Sequence, residues 1–542
     1  GSPDAVDCSD GDPTVFPGAD EWCDGVDSDC DPTTGEAGRA TFFDDPLGFN
    51  PVDLTALLAA GGTYTAPGAG VIRLCGGTWT TAIAAAPGAE LRIVANTTWP
   101  LPVLTGDITF SADGHLESVV LEGGRVHAGR NAHLHLEDSQ FEGAEVWAWP
   151  GGSISGQSLW VDGISYAWLR AVTDAGIPSP PNPVEITLST FHDVPALTLG
   201  ALDVTLRHNA LTGWSGAGSS TSLLMEDCTL EGGGGSVDGG TATLRRVTGS
   251  NSGGAWSFSN LGSLLIEDSD LHNAALSHVF TASNVANAVV RRTEFSSDAG
   301  STWIITAQDT NLTLEDCEID GPGNHVEATG STSLTVTRST FSGATDSALM
   351  LRASGATQVS GSTFTGNDGG PVSGGVAFTS GGGAVFLDNA AATLTVSDST
   401  FSGNTSTSYG GALFVRAGTV DMTRATFAGN TAAHGGAISA WASPASVSCS
   451  ACTIRDNDAT YGGAWDLRGG SSGVMSGGSL HRNAASSQGG AVFVAGPFTA
   501  SLVDFGSGST ENTPHDLWFQ ALGFSADFSG VTSATCNESG CF

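Results

Sequence analysis

Residues 4 to 31 carry ten acidic side chains and no basic one. The segment contains Asp7-Cys-Ser-Asp-Gly-Asp-Pro13, Pro17-Gly-Ala-Asp-Glu-Trp-Cys23 and Asp24-Gly-Val-Asp-Ser-Asp-Cys-Asp31. Carboxylates this dense repel one another unless a cation neutralises them. Alternating aspartates in a glycine-containing loop can bring several hard oxygens to one ion. Asp7, Asp10, Asp12, Asp24, Asp27, Asp29 and Asp31 are the candidate ligands. Oxygen donors favour Ca²⁺, with copper a second choice. Cys8, Cys23 and Cys30 would tie the loops together. Three thiols cannot all pair among themselves, and Cys75 is the nearest further partner in sequence, so the connectivity of the four stays open.

Other groups could also do chemistry. His133 and His135 share one strand face, with His115 and His127 upstream. They are either metal ligands or a hydrogen-bonded surface strip. Trp147, Trp149, Trp160 and Trp168 would stack on sugar rings or pack into the core. The pairs Glu137-Asp138, Glu226-Asp227, Glu267-Asp268 and Glu315-Asp316 recur at one position of a repeat. A glycoside hydrolase needs two carboxylates roughly 5–9.5 Å apart. Neighbours within a strand are expected to point to opposite faces, and a catalytic pair would be singular rather than periodic. A lyase needs a base, yet all 18 basic residues are arginine. The guanidinium is a poor base unless strongly perturbed. The residues before successive Gly-Gly pairs, Tyr409, His434, Tyr461 and Gln488, would align as one column. That column is a candidate binding stripe for a glycan or protein partner, or a ladder that only steadies the turns.

The elements that must position these residues come from a repeat. Phe-x-x-Asn followed by Gly-Gly-Ala recurs between Phe364 and Asn512, and the asparagines from Asn404 on are 26, 27 and 26 residues apart. Each repeat opens with a period-two run such as Leu394-Thr-Val-Ser-Asp-Ser-Thr-Phe401. Leu394 and Val396 are predicted on one face, Thr395 and Ser397 on the other. A strand roughly every 25 residues cannot bury its apolar face alone, so it must stack on the next turn about 4.8 Å away. Weaker copies such as LEDSQF at Leu136, IEDSDL at Ile266 and VTRSTF at Val336 extend the pattern backwards. The expected fold is all-β, a single-stranded right-handed parallel β-helix of about fifteen coils, a rod of order 70 Å at the cross-strand spacing. Asn404, Asn430, Asn457 and Asn483 should form an inward amide ladder. Cys228, Cys317 and Cys452 occupy a slot held elsewhere by serine, and are read as buried fillers. Cys449 and Cys452 form a CxxC on a strand, and Cys536 and Cys541 could close a terminal loop.

These motifs carry two resemblances. The paired FxxN and GGA tetrapeptides resemble the repeats of the chlamydial polymorphic outer-membrane proteins, well over 360–495 and only architecturally over 130–360. The resemblance implies an adhesin-like passenger. Such passengers are exported through a C-terminal barrel whose sequence is not among these residues, so the anchoring route is open. The acidic segment is similar to a metal-binding motif of secreted deltaproteobacterial proteins and of the MopE-type surface copper-binding family, of pattern DCDDxDPxxxPGAxExCDGxDNDCDG. Ser9, Ser28 and Pro32 depart from that pattern.

Composition narrows the function classes. A formal charge of −38 argues against nucleic acid and anionic membranes as partners. No apolar stretch approaches the ~20 residues of a transmembrane helix. Ten cysteines in an acidic, glycine-rich chain suggest an oxidising compartment. The expected organisation is an acidic metal-binding motif over 1–40, a cap with a short helix and first coils over 41–110, a β-helix over 111–505 and a terminal cap over 506–542. The expected function is a secreted or cell-surface structural or adhesive β-helix with a Ca²⁺-binding N-terminal module, not an enzyme. The alternatives are a polysaccharide lyase or glycoside hydrolase on the same fold, or a surface copper-binding protein. Self-assembly of such solenoids is compatible with the sequence.

Overall fold

Apolar residues at alternate positions need a sheet that buries one face, and the chain meets this by stacking each turn on the next. In the computed structural model Leu394 and Val396 are buried, Thr395 is exposed and Ser397 half-buried, as the period predicts. Their strand, Val385–Ser397, pairs in parallel with Leu413–Thr423, setting Leu394 beside Val420 and Val396 beside Met422. The structure describes residues 15–17, 19, 29–31, 38–44, 51–95, 100–164, 168–171, 182–193, 198–199, 202–214, 218–219, 222–233, 235–251, 256–273, 278–298, 301–370, 381–442, 444–520, 526–527, 531 and 536–537. They fall into two compact units, 1–241 and 242–542. Both are parallel β-solenoids, with about 16 turns in all.

The first unit opens on a strand of opposite sense. Arg39–Phe43 runs antiparallel to Pro51–Asp53 and to Gly70–Cys75, so the edge of the first parallel turn is covered. The helix expected over 53–60 spans Thr55–Ala59. Asp53 lies outside it and accepts the Thr55 N–H at 2.8 Å, satisfying one donor of the helix start. Leu91–Ala95, Gly114–Glu117, His133–Glu137 and Ser153–Gln157 then stack in parallel register, keeping Ile93, Leu116 and Leu136 in one buried column.

The second unit builds its interior from identical side chains. Phe341, Phe364, Phe401 and Phe427 stack with ring centroids 4.7, 4.9 and 4.7 Å apart and planes within 7°. Phe364 and Phe401 are direct register partners, so the 37-residue step between them is a single turn with an inserted loop. The asparagine ladder is present and longer than expected, running from Asn367 to Asn512 with every member buried. The Asn430 carbonyl oxygen accepts both the backbone and the side-chain N–H of Asn404 at 2.9 Å. The Asn430 amide in turn donates to Asn457 and to the Phe401 carbonyl. The ladder ends on the buried Asp516, which accepts from Asn512 at 2.7 Å.

The serine slot does more than fill space. The Ser339 hydroxyl donates to the Thr337 carbonyl and accepts the Cys317 N–H, while the Ser339 N–H donates to Ser362. Cys228 and Cys317 are buried in this slot, and burial pushes the Cys317 thiol up to about 11, an inert group. Cys452 is buried as expected but is also bonded to Cys449, with sulfurs 2.01 Å apart. The tail continues the stacking: Leu517–Phe519, Ala526–Asp527 and Cys536–Asn537 add parallel strands. Cys541 lies outside the described residues.

The Gly-Gly turn explains its own composition. The first glycine, at Gly410, Gly435, Gly462 and Gly489, sits at φ +59°, +67°, +63° and +68°. A Cβ on the second would strike the next turn: at Gly411 the Gly436 carbonyl oxygen, at Gly436 that of Gly463. One glycine is needed for its dihedral and the other for the closeness of two backbones.

Candidate functional site

The adjacent acidic pairs correct a sequence expectation. Neighbours were expected on opposite faces, but both members point outward. Asp138, Asp227, Asp268 and Asp316 occupy a left-handed corner, with φ of 48°, 55°, 51° and 53°, which interrupts the strand alternation. In the second unit arginines take the same corner on alternate turns, Arg292 and Arg338 both at 48°. A left-handed residue with a Cβ costs about 1 kcal/mol or more. Ion pairs between turns offset that cost. Arg292 grips Asp268 at 2.6 and 3.0 Å, and Arg338 grips Asp316 at 2.7 and 2.8 Å. Asp398–Arg424 repeats the arrangement, and Asp456–Arg482 makes it at the next corner. The arginine bonds hold the Asp268, Asp316, Asp398 and Asp456 carboxyls below the usual aspartate range. The pairs Glu267-Asp268 and Glu315-Asp316 are thus engaged in holding turn to turn.

A different acidic column lies next to this corner. Asp270, Glu294 and Glu318 are register partners on successive turns and line a groove of about 550 Å³ with Asp268, Arg292 and Asp316. Partial burial and the neighbouring Asp270, Glu318 and Asp320 push the Glu294 carboxyl above the usual range. The column is inconspicuous in the sequence because Asp270 and Glu318 stand two residues after acidic pairs, while Glu294 follows Arg291-Arg292.

The stripe expected before the Gly-Gly turns does align. Tyr409, His434, Tyr461 and Gln488 are successive register partners. Tyr409 stacks on His434 at 5.0 Å and His434 on Tyr461 at 5.2 Å. All four are half-buried at the ends of short strands, Thr405–Tyr409, Thr431–His434, Asp458–Tyr461 and Ala484–Gln488, which form a parallel sheet of their own and pack on the outer face of the strands that follow. Tyr409 packs on Phe414 at 5.0 Å and edge-on to Trp441. Beneath the column lies a charged group the sequence reading did not single out. Asp466 is fully buried, accepts from Arg468 Nε at 2.9 Å and lies 3.4 Å from His434. The Arg468 guanidinium covers the Tyr461 and Phe493 rings at 4.9 and 4.5 Å. The signal available was Asp and Arg two apart, immediately after GGAW.

The tryptophans divide. Trp168 is core, edge-on to Phe141 and Phe191. Trp149 and Trp160 are 36% and 44% exposed, and Trp160 stacks on His192.

Of the seven aspartates in the acidic segment, Asp7, Asp10, Asp12, Asp24 and Asp27 lie outside the described residues, as do Cys8 and Cys23. Asp29 accepts the Asp31 N–H at 2.9 Å, a turn that sets two carboxylates close in sequence on one bend. Cys30 and Cys75 are both disulfide-bonded, so Cys30 offers no thiolate. The remaining donors between 7 and 31 are oxygen-rich, with no histidine or methionine. Such a donor set fits a hard cation.

Comparison with known proteins agrees with this reading of the fold. A right-handed β-helix region model matches residues 233–391. The MopE-type metal-binding motif matches 7–36, and the Chlamydia polymorphic membrane protein repeat matches 398–416. No curated protein matches the sequence. Among solved structures, a mutant of the PL6 family alginate lyase AlyGC is similar at 7% identity and a TM-score of 0.23, over 88% of this chain and 96% of that one. Among the described residues no helix is long and apolar enough to cross a membrane. The chain is a right-handed parallel β-helix with polymorphic-membrane-protein-type repeats, headed by a MopE-type metal-binding motif.

Proposed function

We propose that this protein is a secreted or surface-displayed β-helical scaffold for adhesion, coating or assembly, stabilised by Ca²⁺ at its N-terminal motif. The observation that carries the reading is the use of the repeated polar residues. Asparagines, serines and arginine–aspartate pairs bond turn to turn, which is what a load-bearing solenoid needs. The two repeat families matched here are secreted or surface-associated, which supports an extracellular location. The Cys449–Cys452 bond suits an oxidising compartment. Asp7, Asp10, Asp12, Asp24, Asp27, Asp29 and Asp31 are the proposed Ca²⁺ ligands, with copper the weaker choice for oxygen donors. We assign the Tyr409–Gln488 column first to packing. Its exposed edge is what a glycan or protein partner would meet.

One observation favours a second reading, a polysaccharide-active enzyme. Glu294, with its raised carboxyl, stands in a groove between Asp270 and Glu318 on adjacent turns. Turns spaced about 4.8 Å apart place such carboxylates in the range that retaining hydrolases use. The test is release of new reducing ends or unsaturated sugars from acidic and neutral polysaccharides with Ca²⁺ present, beside elemental analysis of the dialysed protein. Bound calcium without release supports the scaffold. Release abolished by Glu294→Gln establishes the enzyme instead, and retained copper in place of calcium would replace the metal assignment.

A further inference from the structure

In the first unit the outer face of four stacked strands is open, and its side chains form two neighbouring columns. One column runs Arg92, His115, His135, Ser155. The next sets Glu117 directly beside Glu137. Like charges on adjacent strands destabilise a sheet, as they lie within about 5 Å of each other. Here two carboxylates are stacked next to two stacked imidazoles, whose ring centroids are 4.8 Å apart. A cation held among the four would relieve the repulsion.

The distances suit such an ion. Glu137 Oε2 lies 3.4 Å from His135 Nε2 and 3.9 Å from His115 Nε2. His115 Nε2 is also 3.0 Å from Glu117 Oε2. Zinc bound by nitrogen and oxygen at about 2.0–2.1 Å in a tetrahedron separates its ligands by about 3.3–3.4 Å. Rotations of exposed or half-buried side chains would bring these atoms to that spacing, with no movement of the strands. His135 has its other nitrogen, Nδ1, on the Ser155 hydroxyl at 2.9 Å, which leaves Nε2 turned to the carboxylates. Metal-binding imidazoles are generally oriented by such a partner. Arg92 contacts Glu117 at 3.5 Å, and the same Glu117 oxygen is hydrogen-bonded to His115 Nε2, so a bound ion would take the place of that hydrogen bond. Among the described residues this is the only group of three histidine, cysteine or acidic side chains whose ligand atoms lie within 4.8 Å of one another.

We propose that His115, His135 and Glu137 form a surface site for a divalent transition ion of the zinc class, separate in residues and in donor chemistry from the oxygen-rich N-terminal motif. Two imidazoles and one carboxylate favour zinc over Ca²⁺. The site would let the open face be cross-linked or loaded with metal while the calcium module is untouched.

The test uses the full chain, stripped with a chelator and titrated with zinc against a chromogenic competitor, with cobalt as a spectroscopic stand-in. The wild type is expected to bind zinc with one more equivalent than His115→Ala/His135→Ala. It should also give a visible cobalt band that this double variant lacks. His135→Ala and Glu137→Gln should each weaken zinc by more than about 100-fold, since outer partners alone are worth about 10–100-fold. Ser155→Ala should weaken it by about 10-fold. Calcium content measured before stripping should match the wild type in every variant, and circular dichroism of each reports that the fold is kept. Equal zinc stoichiometry in wild type and double variant overturns the proposal. So does a wild type without a cobalt band, which would leave an imidazole–carboxylate ion-pair patch only.

Discussion

The strands that follow the Gly-Gly turns and the strands that carry the histidines are both short and parallel, yet they treat their outer faces in opposite ways. Ile438–Trp441 and Trp465–Arg468 are buried at three consecutive positions, because the strands ending in Tyr409, His434 and Tyr461 pack over this face. Gly114–Glu117 and His133–Glu137 alternate buried and partly exposed, because nothing of the described chain covers them. In the covered region even polar and aromatic residues serve packing: Tyr409, His434 and Tyr461 roof over Phe414 and Asp466. In the open region polar residues are free of that duty, and imidazoles and carboxylates can face solvent as a ligand set. The most regular stretch of sequence is thus the most structural, and chemistry is better sought where the repeat is weakest.

The comparison breaks first at the glycines. Gly436→Ala places a methyl group on the Gly463 carbonyl oxygen. It is expected to cost about 4 kcal/mol or more, read as a large fall in the thermal midpoint. A near-neutral variant would show that successive Gly-Gly turns are not tightly stacked. Asp466→Ala removes the partner of a half-buried guanidinium and should cost about 3 kcal/mol, measured by urea unfolding. Asn430→Ala leaves the Asn404 N–H without its acceptor and should cost about 2 kcal/mol. An unchanged melting temperature would sink the ladder.

How much of this was legible follows from what repeats. Phe401, Asn404 and Gly410 recur at a fixed spacing, and stacking identical turns converts that spacing directly into columns, so the coil, the asparagine ladder and the Tyr409 column could be read in advance. The corner at Asp268 could not. The aspartates recur visibly, but a single left-handed residue shifts the alternation, and an aspartate or arginine does not announce that conformation as a glycine does. The Glu137–His135–His115 grouping was half legible: strand alternation put His133 and His135 together, but only the register between turns sets His115 beside His135 and so near Glu137. Asp466 was hidden because burial of an outer face is set by the neighbouring sheet that packs over it, not by the strand itself.

Acid separates the two kinds of polar contact. His325 is fully buried and its imidazole is pushed down to about 4 by desolvation. The unfolded chain takes up that proton near pH 6.5. Its effect on stability is therefore nil above about 6.5, and grows to a loss of about 3 kcal/mol as pH falls to 4. Asp268 and Asp316 act lower. Their folded carboxyls lie below the ordinary value, so their contribution is whole above about pH 4 and is lost as pH falls through the folded values beneath it. Urea midpoints between pH 7 and 2 should show both limbs. His325→Gln should shrink the first limb, to which His115, His127 and His278 also contribute in the same direction, and Asp316→Asn should trim the second. A single limb in the wild type would contradict the buried neutral histidine. The smallest expected effect is on the open face, where His135→Ala should change stability in metal-free buffer by less than about 0.5 kcal/mol.

The most direct test of the covered-face account is Tyr461→Ala, followed by thermal unfolding and by retention on a glycan array. Tyr461 stacks on His434, lies under Arg468 and meets Phe493 edge-on. The account predicts a loss of about 2–3 kcal/mol, in line with deletion of a packed aromatic ring, with any glycan retention unchanged. Full stability together with lost retention would contradict it and make the column a binding stripe.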